Sequence, residues 1–339
     1  MMDMEISEIQ FSFIVPVHNE QDGLEAFYRR LSAVADELVE SYEIIFVNDG
    51  STDTTGDILS RLSREDDRVK VVEFSRNFGH QAAVTAGYDY SSGRVVISLD
   101  GDGQHPPEII PELVARWREG YEIVYTVRRD TDGISFVRRA AGRLAYRIIK
   151  SVSGLELTDQ ADFRLMDRKA VSALCGAREQ ARFVRGLVSW IGFRQIAVPY
   201  VAQKRIAGQS SYTFTQLMRM SAAGVFNFSL LPLRLPIACG GLFIVAALVY
   251  ALANLLLWPL GLAAGAMAHL VMLGIGLFGL QMLVLGLMGE YIGRIFEEAK
   301  SRPLYIVRQT VGLEKNSDDL DAGLKKSPQR ETIRFTVMT

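Results

Sequence analysis

Up to about residue 130 the chain switches repeatedly between two apolar periods. Phe11-Ser-Phe-Ile-Val-Pro-Val17 is a short apolar run ending in a turn, as a buried strand requires. Leu24, Phe27, Leu31, Val34 and Leu38 follow at steps of three and four, which is one face of a helix. Glu43–Asn48, Val69–Phe74, Arg94–Leu99 and Glu122–Val127 read as four further strands. Between them, helices are expected from the capping residues Ser51-Thr-Asp53 to about Leu62, over Gly79–Tyr90, and from Pro106-Pro107 onward. Strand and helix in alternation predict an α/β fold: a mostly parallel sheet with helices on both faces.

After Asp130 the pattern is less regular. Phe136–Val152 reads as a helix carrying Arg138, Arg139, Arg143, Arg147 and Lys150. Thr158–Arg168 reads as a loop entering a further helix, and Phe193–Ala202 as a strand-pair element. Thr213–Leu233 mixes Phe, Met and Leu with few charges and suits interfacial helices lying on a bilayer. From Leu235 to Gly289 there are 55 residues without one Asp, Glu, Lys or Arg. A membrane span takes roughly 20 apolar residues, so two are expected, Ile237–Trp258 and Met267–Met288, joined by a turn at Pro259–Ala266. Arg219, Arg234, Arg294, Lys300 and Arg302 all flank this hairpin on the outside, which places both termini in the cytoplasm. A polar helix is expected to continue to about Lys300, and the polar segment from Glu314 to lack order. The expected divisions are 1–130, 131–212, 213–234 (interfacial helices), 235–289 (two membrane spans), 290–312 (cytoplasmic juxtamembrane segment) and 313–339 (tail).

Charge and motifs narrow the chemistry. The net charge of −2 gives no global field for nucleic acid. In a doubly wound sheet, ligands bind beyond the carboxyl ends of the strands. His18-Asn19-Glu20, Asp49, Asp100-Gly101-Asp102 and Arg128-Arg129 all follow strands in that register. Asp100 and Asp102, with Gln104 nearby, suit a hard cation shared with a diphosphate. Alone, they suit an Asp-Gly turn equally well. Asp49 fits either a contact to a base or ribose or a cap for the next helix. The four histidines are weak signals, and no His-x-x-His or Cys/His cluster supports zinc. No Gly-x-x-x-x-Gly-Lys loop and no Gly-x-Gly-x-x-Gly after the first strand is present, which excludes P-loop and dinucleotide readings at their motifs.

Four segments together carry a family resemblance: Val15-Pro-Val-His-Asn-Glu20, Val47-Asn-Asp-Gly-Ser-Thr-Asp53, Ser75-Arg-Asn-Phe-Gly79 and Ser98-Leu-Asp-Gly-Asp-Gly-Gln-His-Pro-Pro-Glu108. They resemble family 2 glycosyltransferases of the A-type, Rossmann-like GT-A fold. Asp162-Phe-Arg-Leu-Met-Asp167, Arg182-Phe-Val-Arg-Gly186 and Arg205-Ile-Ala-Gly208 are similar to the polyprenyl-phosphate branch, which includes dolichol-phosphate mannose synthases and bactoprenol glucosyltransferases.

The resemblance implies inverting transfer of one sugar from a nucleotide-sugar, with a UDP-hexose such as UDP-glucose favoured, to a polyprenyl phosphate. It implies an integral protein of the bacterial inner membrane with a cytoplasmic catalytic domain. Pro16, His18, Glu20, Asp49, Asp100, Gln104 and Arg128 would bind the donor. Asp100, Asp102 and Gln104 would hold Mg²⁺ or Mn²⁺, Asp162 and Asp102 would be catalytic, and Arg138, Lys204 and Arg205 would meet the acceptor phosphate. Where relatives often carry Gly-x-Ser-Lys-Tyr, this chain reads Gly208-Gln-Ser-Ser-Tyr212, so Ser211 removes one phosphate contact. Gly274, Gly276, Gly279 and Gly286 would let the hairpin pack against a second copy. A processive polysaccharide synthase would need more spans and usually a Gln-x-x-Arg-Trp motif. A transport or flippase subunit would leave the acidic residues unexplained.

Overall fold

The computed structural model describes residues 9–129, 160–180, 182–201, 242, 245, 249, 252 and 266–313. The strands are β1 (Phe11–Val17), β2 (Tyr42–Asn48), β3 (Val69–Phe74), β4 (Val95–Ser98), β5 (Ile123–Arg129), β6 (Gln160–Asp167), β7 (Gln195–Val201) and β8 (Val307–Val311). They form one sheet in the order β7-β5-β6-β4-β1-β2-β3-β8. The helices are α1 (Leu24–Glu37), α2 (Thr55–Glu65), α3 (His80–Tyr90), α4 (Ile110–Arg118), α5 (Arg168–Gly176), α6 (Val184–Trp190) and α7 (Ala266–Ala299).

The first five strands and four helices stand where the periodicity predicts them. Phe11, Phe13, Val15 and Val17 of β1 enter a core shared with α1, α2 and α4. Ile14 enters a second core with α3, α5 and α6. A strand between two helical layers needs apolar side chains on both faces, which is why β1 and β2 are continuous apolar runs and buried at every position. In α1, Gly23 offers no side-chain cap. Leu24, Phe27, Leu31 and Val34 are buried instead, each contributing about 1.5–3 kcal/mol against about 1 kcal/mol for a cap. Packing, not capping, decides this helix.

Six strands run in one direction. β1 pairs in parallel with β2 and β4, β2 with β3, and β5 with β7. β6 is antiparallel to both β4 and β5, and β8 is antiparallel to β3. Because β1 leads outward to β2 and β3 on one side while β4 lies on its other side, the strand order reverses between β1 and β4. That crevice is where such sheets bind ligands.

Three sequence expectations are corrected. Thr158–Arg168 is not a loop over its described part: Gln160–Asp167 is strand β6. Charged Asp162 and Arg164 interrupt its apolar run, and they neutralise each other at 2.9 Å. Phe193–Ala202 contributes the single strand β7 rather than a strand pair. The 290–312 segment is not merely juxtamembrane, since Val307–Val311 completes the sheet as β8.

Helix α7 has 34 residues, about 51 Å at 1.5 Å per residue, well beyond the roughly 30 Å of a bilayer core. Its Gly276–Ala299 stretch is, among the described residues, the one helix long and apolar enough to cross a membrane. The expected second span and the polar helix after Gly289 are therefore one continuous element. Its end is tied to the sheet. Gln180 donates its backbone N–H to Glu298 Oε1 (2.7 Å) and its amide to the Arg302 carbonyl (2.6 Å). Tyr305 stacks on Phe74 with centroids 5.0 Å apart and donates to Asp89 at 2.7 Å. Of the expected first span, Ile237–Trp258, the positions Leu242, Val245, Val249 and Leu252 are helical and exposed. The rest of that span lies outside the described residues, as do the helix Phe136–Val152, the interfacial helices 213–234, Arg138, Lys204, Arg205 and the tail from 314.

Candidate active site

The β1 and β2 ends are knitted together by side-chain to backbone bonds. Asn19, at φ 56°, accepts from the Thr52 N–H through its side-chain oxygen (2.8 Å) and donates its own backbone N–H to Ser51 Oγ (3.0 Å). The Glu20 N–H donates to Thr55 Oγ1 at 3.0 Å. Asp49 accepts from the backbone N–H groups of Phe78 (2.6 Å) and Gly79 (2.9 Å). Its carboxylate thus holds the loop that enters α3, and does not cap the helix that follows it in sequence. His18 Nδ1 lies 2.8 Å from the Asp49 carbonyl, which fixes Nδ1 as the donor. Nε2 then accepts from Asn77 at 3.2 Å. His18 and Asp49 are together; Asp49's oxygens already serve the Phe78-Gly79 backbone.

Pro16 lies within β1 opposite Val47. Ile14 accepts from Leu99 of the β4 chain (3.0 Å), and β4 pairing ends there. Pro16, two residues on, faces the side from which β4 has departed. Its missing N–H leaves no broken ladder bond, and the crevice opens at that point.

Across the crevice, the Asp100 N–H donates to His105 Nδ1 at 3.0 Å. Asp102 Oδ1 accepts from the Gln104 N–H (2.9 Å) and Oδ2 from the Gln104 amide (3.1 Å). Gln104 therefore orients Asp102 and turns its amide nitrogen, not its carbonyl, toward the carboxylate. The tight turn is made at Gly103, with φ 77°. Gly101 serves close approach, since a Cβ there would lie 2.9 Å from Val17 Cγ1. Among the described residues no group of three or more His, Cys, Asp or Glu side chains could hold a metal. Two carboxylates fit a hard cation that takes its remaining ligands from phosphate and water, but not a closed protein cage.

β6 brings in Asp162. Ser98 of β4 pairs with Arg164 of β6, and the strands are antiparallel. Two residues beyond that pair, on either strand, come Asp100 and Asp162. Ser98 Oγ donates to the Asp162 carbonyl at 2.8 Å. His80, the first residue of α3, sits between the two acids: its Nε2 is 3.6 Å from Asp100 Oδ1 and 3.5 Å from Asp162 Oδ2. Arg164 donates to Asp162 Oδ1 (2.9 Å), and Arg185 grips both oxygens, Nε to Oδ1 at 3.0 Å and Nη2 to Oδ2 at 2.8 Å.

The electrostatics follow. Burial disfavours a charged Asp162, but Arg185, His80 and Arg164 outweigh it and hold the carboxyl well below the usual range. Burial also disfavours protonated His80, yet Asp100 and Asp162 raise it to about 9. Burial pushes Tyr200 up to about 12; Arg128 and Arg185 oppose the rise while Asp100 and Asp102 add to it. Arg128, exposed on β5, is the register partner of Tyr200 on β7, which places it at the rim of the same site.

The sequence reading missed His80, Arg164, Arg185 and Tyr200. His80 directly follows the Ser75–Gly79 motif and shares the strand-end register, a signal that was available. Arg185 lay inside a quoted motif without a role.

An open α/β sheet thus gathers acidic residues at its switch point, where such sheets bind ligands. Residues 12–175 match the family described as Glycosyl transferase family 2. An uncharacterized glycosyltransferase, YkcC, of Bacillus subtilis is 42% identical over 309 residues, covering 90% of this chain and 95% of that protein. A prophage bactoprenol glucosyl transferase homolog of Escherichia coli is 33% identical over 303 residues, covering 89% and 99%. Among solved structures, glucosyl-3-phosphoglycerate synthase from Mycobacterium tuberculosis aligns with a TM-score of 0.45 at 21% identity, over 63% of this chain and 76% of that one. The chain belongs to glycosyl transferase family 2 and is a glycosyltransferase.

Proposed function

We propose that this enzyme has the GT-A arrangement and transfers one sugar, with inversion, from a nucleotide-diphosphate sugar to a polyprenyl phosphate at the cytoplasmic face of a membrane. UDP-glucose or a related UDP-hexose is the favoured donor. The observation that carries the reading is the tie between a membrane-length helix and the catalytic sheet: α7 leads through Tyr305 directly into β8. A polyprenyl chain leaves the bilayer only at about 0.8 kcal/mol per CH₂. An enzyme acting on its phosphate must work at headgroup depth.

The strand order supports a division of labour along the crevice. His18, Asp49 and Asn77 lie at the β1-β2-β3 side, where a nucleotide would sit. Asp100 and Asp102 follow at β4, and Asp162 and Tyr200 lie beyond, at β6 and β7. Asp100 and Asp102 would hold Mg²⁺ or Mn²⁺, which when bound neutralises charge on the departing diphosphate. The acceptor is a phosphate monoester whose second pKa is about 6, so at neutral pH it is mostly a dianion. Its oxygen attacks the anomeric carbon as the bond to the diphosphate breaks, and the electron pair leaves with the nucleotide. No proton has to move.

The test incubates purified protein with labelled UDP-hexoses and a polyprenyl phosphate in detergent or vesicles. A lipid carrying one sugar supports the reading. A polymer, or sugar transfer only to soluble acceptors, rejects it.

A further inference from the structure

Three tyrosines are buried among the described residues: Tyr42, Tyr88 and Tyr200. A buried phenol hydroxyl ordinarily finds a hydrogen-bond partner. Tyr42 donates to Asp36 at 2.7 Å and Tyr88 to Ser98 at 3.0 Å. Tyr200 is 4% exposed, yet its contacts are made by the ring. The ring stands edge-on to His105, with centroids 5.9 Å apart, and to Phe163 at 6.4 Å. Among the described residues the Tyr200 hydroxyl has no hydrogen-bond partner.

Position gives that hydroxyl a use. Tyr200 is the last residue but one of β7, which runs parallel to β5, so it stands at the carboxyl edge of the sheet where ligands bind. Its ring rests on His105, whose Nδ1 accepts from the Asp100 N–H at 3.0 Å. One imidazole therefore separates Tyr200 from the candidate metal pair. The strand order runs from the nucleotide side at β3, β2 and β1, past Asp100 and Asp102 at the end of β4, to β6, β5 and β7. A donor lying along this edge, with its diphosphate at Asp100 and Asp102, directs its sugar toward the β6-β5-β7 side. A phosphate oxygen accepts hydrogen bonds without donating any, and cations meet it best. A metal ion and Arg128, beside Tyr200 on β5, suit it better than a phenol does. A sugar hydroxyl both donates and accepts, as does a neutral phenol.

We propose that Tyr200 is a specificity-determining residue whose hydroxyl hydrogen-bonds one hydroxyl of the transferred hexose. The inference rests on the donor half of the reading above and is independent of the lipid acceptor. A site built to bond a substrate hydroxyl disfavours the sugar that lacks it, because the buried phenol is then left unpaired. Tyr200→Phe keeps the ring against His105 and Phe163 and removes the hydroxyl alone.

The test is a binding cycle. UDP, UDP-glucose and each monodeoxy form of UDP-glucose are titrated into full-length wild-type and Tyr200→Phe protein, in detergent with Mg²⁺. Tyr200→Phe is expected to weaken UDP-glucose about 3- to 10-fold while UDP affinity stays within about twofold of wild type. One monodeoxy donor is expected to bind wild type and Tyr200→Phe equally, since the partner hydroxyl is gone from both sides of the comparison. The other monodeoxy donors keep the full gap. Unchanged UDP-glucose affinity in Tyr200→Phe overturns the proposal. So does an equal loss for UDP, which would assign Tyr200 to the diphosphate or to the fold, and so does a gap that persists with every monodeoxy donor. Each of these leaves the UDP-hexose reading standing. Wild type that fails to bind UDP-glucose rejects that donor and this inference with it.

Discussion

His80 Nε2 stands 3.5 Å from Asp162 Oδ2 although one residue opens α3 and the other lies near the start of β6. The same nitrogen is 3.6 Å from Asp100, so one imidazole spans the two acids on either side of the β4–β6 junction. Replacing it with glutamine keeps a donor and removes the charge. His80→Gln is expected to lower kcat/KM about 10- to 100-fold, the value of one charged hydrogen bond. Thermal unfolding should shift by only a few degrees, because His80 is partly exposed. Turnover and melting measured on the same preparation check both halves.

Gly50 and Gly79 test space against backbone strain. Both have positive φ, 61° and 99°. A Cβ on Gly50 would collide with the backbone of Arg76 and Asn77, whereas nothing lies within 4 Å of one on Gly79. Gly79→Ala is expected to cost about 1–2 kcal/mol, from strain alone. Gly50→Ala should cost about 3 kcal/mol or more, because the β2 and β3 loops must separate. Urea denaturation of the two variants gives the difference, and equal losses would show that the loops are not held in contact.

Glu43 sets an acid limit to stability. It is 1% exposed on β2 and is bonded by Ser12, the Ser92 N–H and hydroxyl, and Lys70. Burial alone would raise its pKa, but Lys70, Ser12 and Ser92 outweigh burial and lower it. The unfolded carboxyl titrates near about 4.3. The stabilisation is therefore complete above that value and is lost as pH falls through the lower, folded pKa. Wild type should lose stability progressively below about pH 5. Glu43→Gln, with no carboxyl to protonate, should start lower at pH 7 by about 2–4 kcal/mol and show a shallower acid slope. Denaturant melts at pH 7 and pH 4 measure both.

Asp100 and Asp102 supply too few ligands to retain a cation without phosphate. Chelation is expected to abolish transfer without lowering the melting temperature by more than a few degrees, and added Mn²⁺ or Mg²⁺ should restore activity. Full activity in excess chelator would remove the metal from the mechanism. Asp102→Asn should raise the metal concentration needed for half-activity, while its remaining side-chain oxygen can still accept from the Gln104 N–H.

The pattern of apolar positions determined the β-α alternation through β5, since burial on two faces leaves continuous apolar runs and one-sided burial leaves a 3.6-residue stripe. It also determined the register of His18, Asp49, Asp100 and Asp102 at the strand ends, because that register follows from chain direction alone. β6 was illegible because Asp162 and Arg164 break its apolar run, and only ion pairing, of Asp162 with both Arg164 and Arg185, makes burying them tolerable. β8 was illegible because its five residues include Arg308, Gln309 and Thr310, and its partner β3 is more than two hundred positions away in the chain. Tertiary structure alone decided that β6 runs antiparallel between β4 and β5. That reversal turns the start of the strand toward the ligand edge and sets Asp162 beside His80 and Asp100; run in parallel, the same strand would carry Asp162 to the opposite end of the sheet.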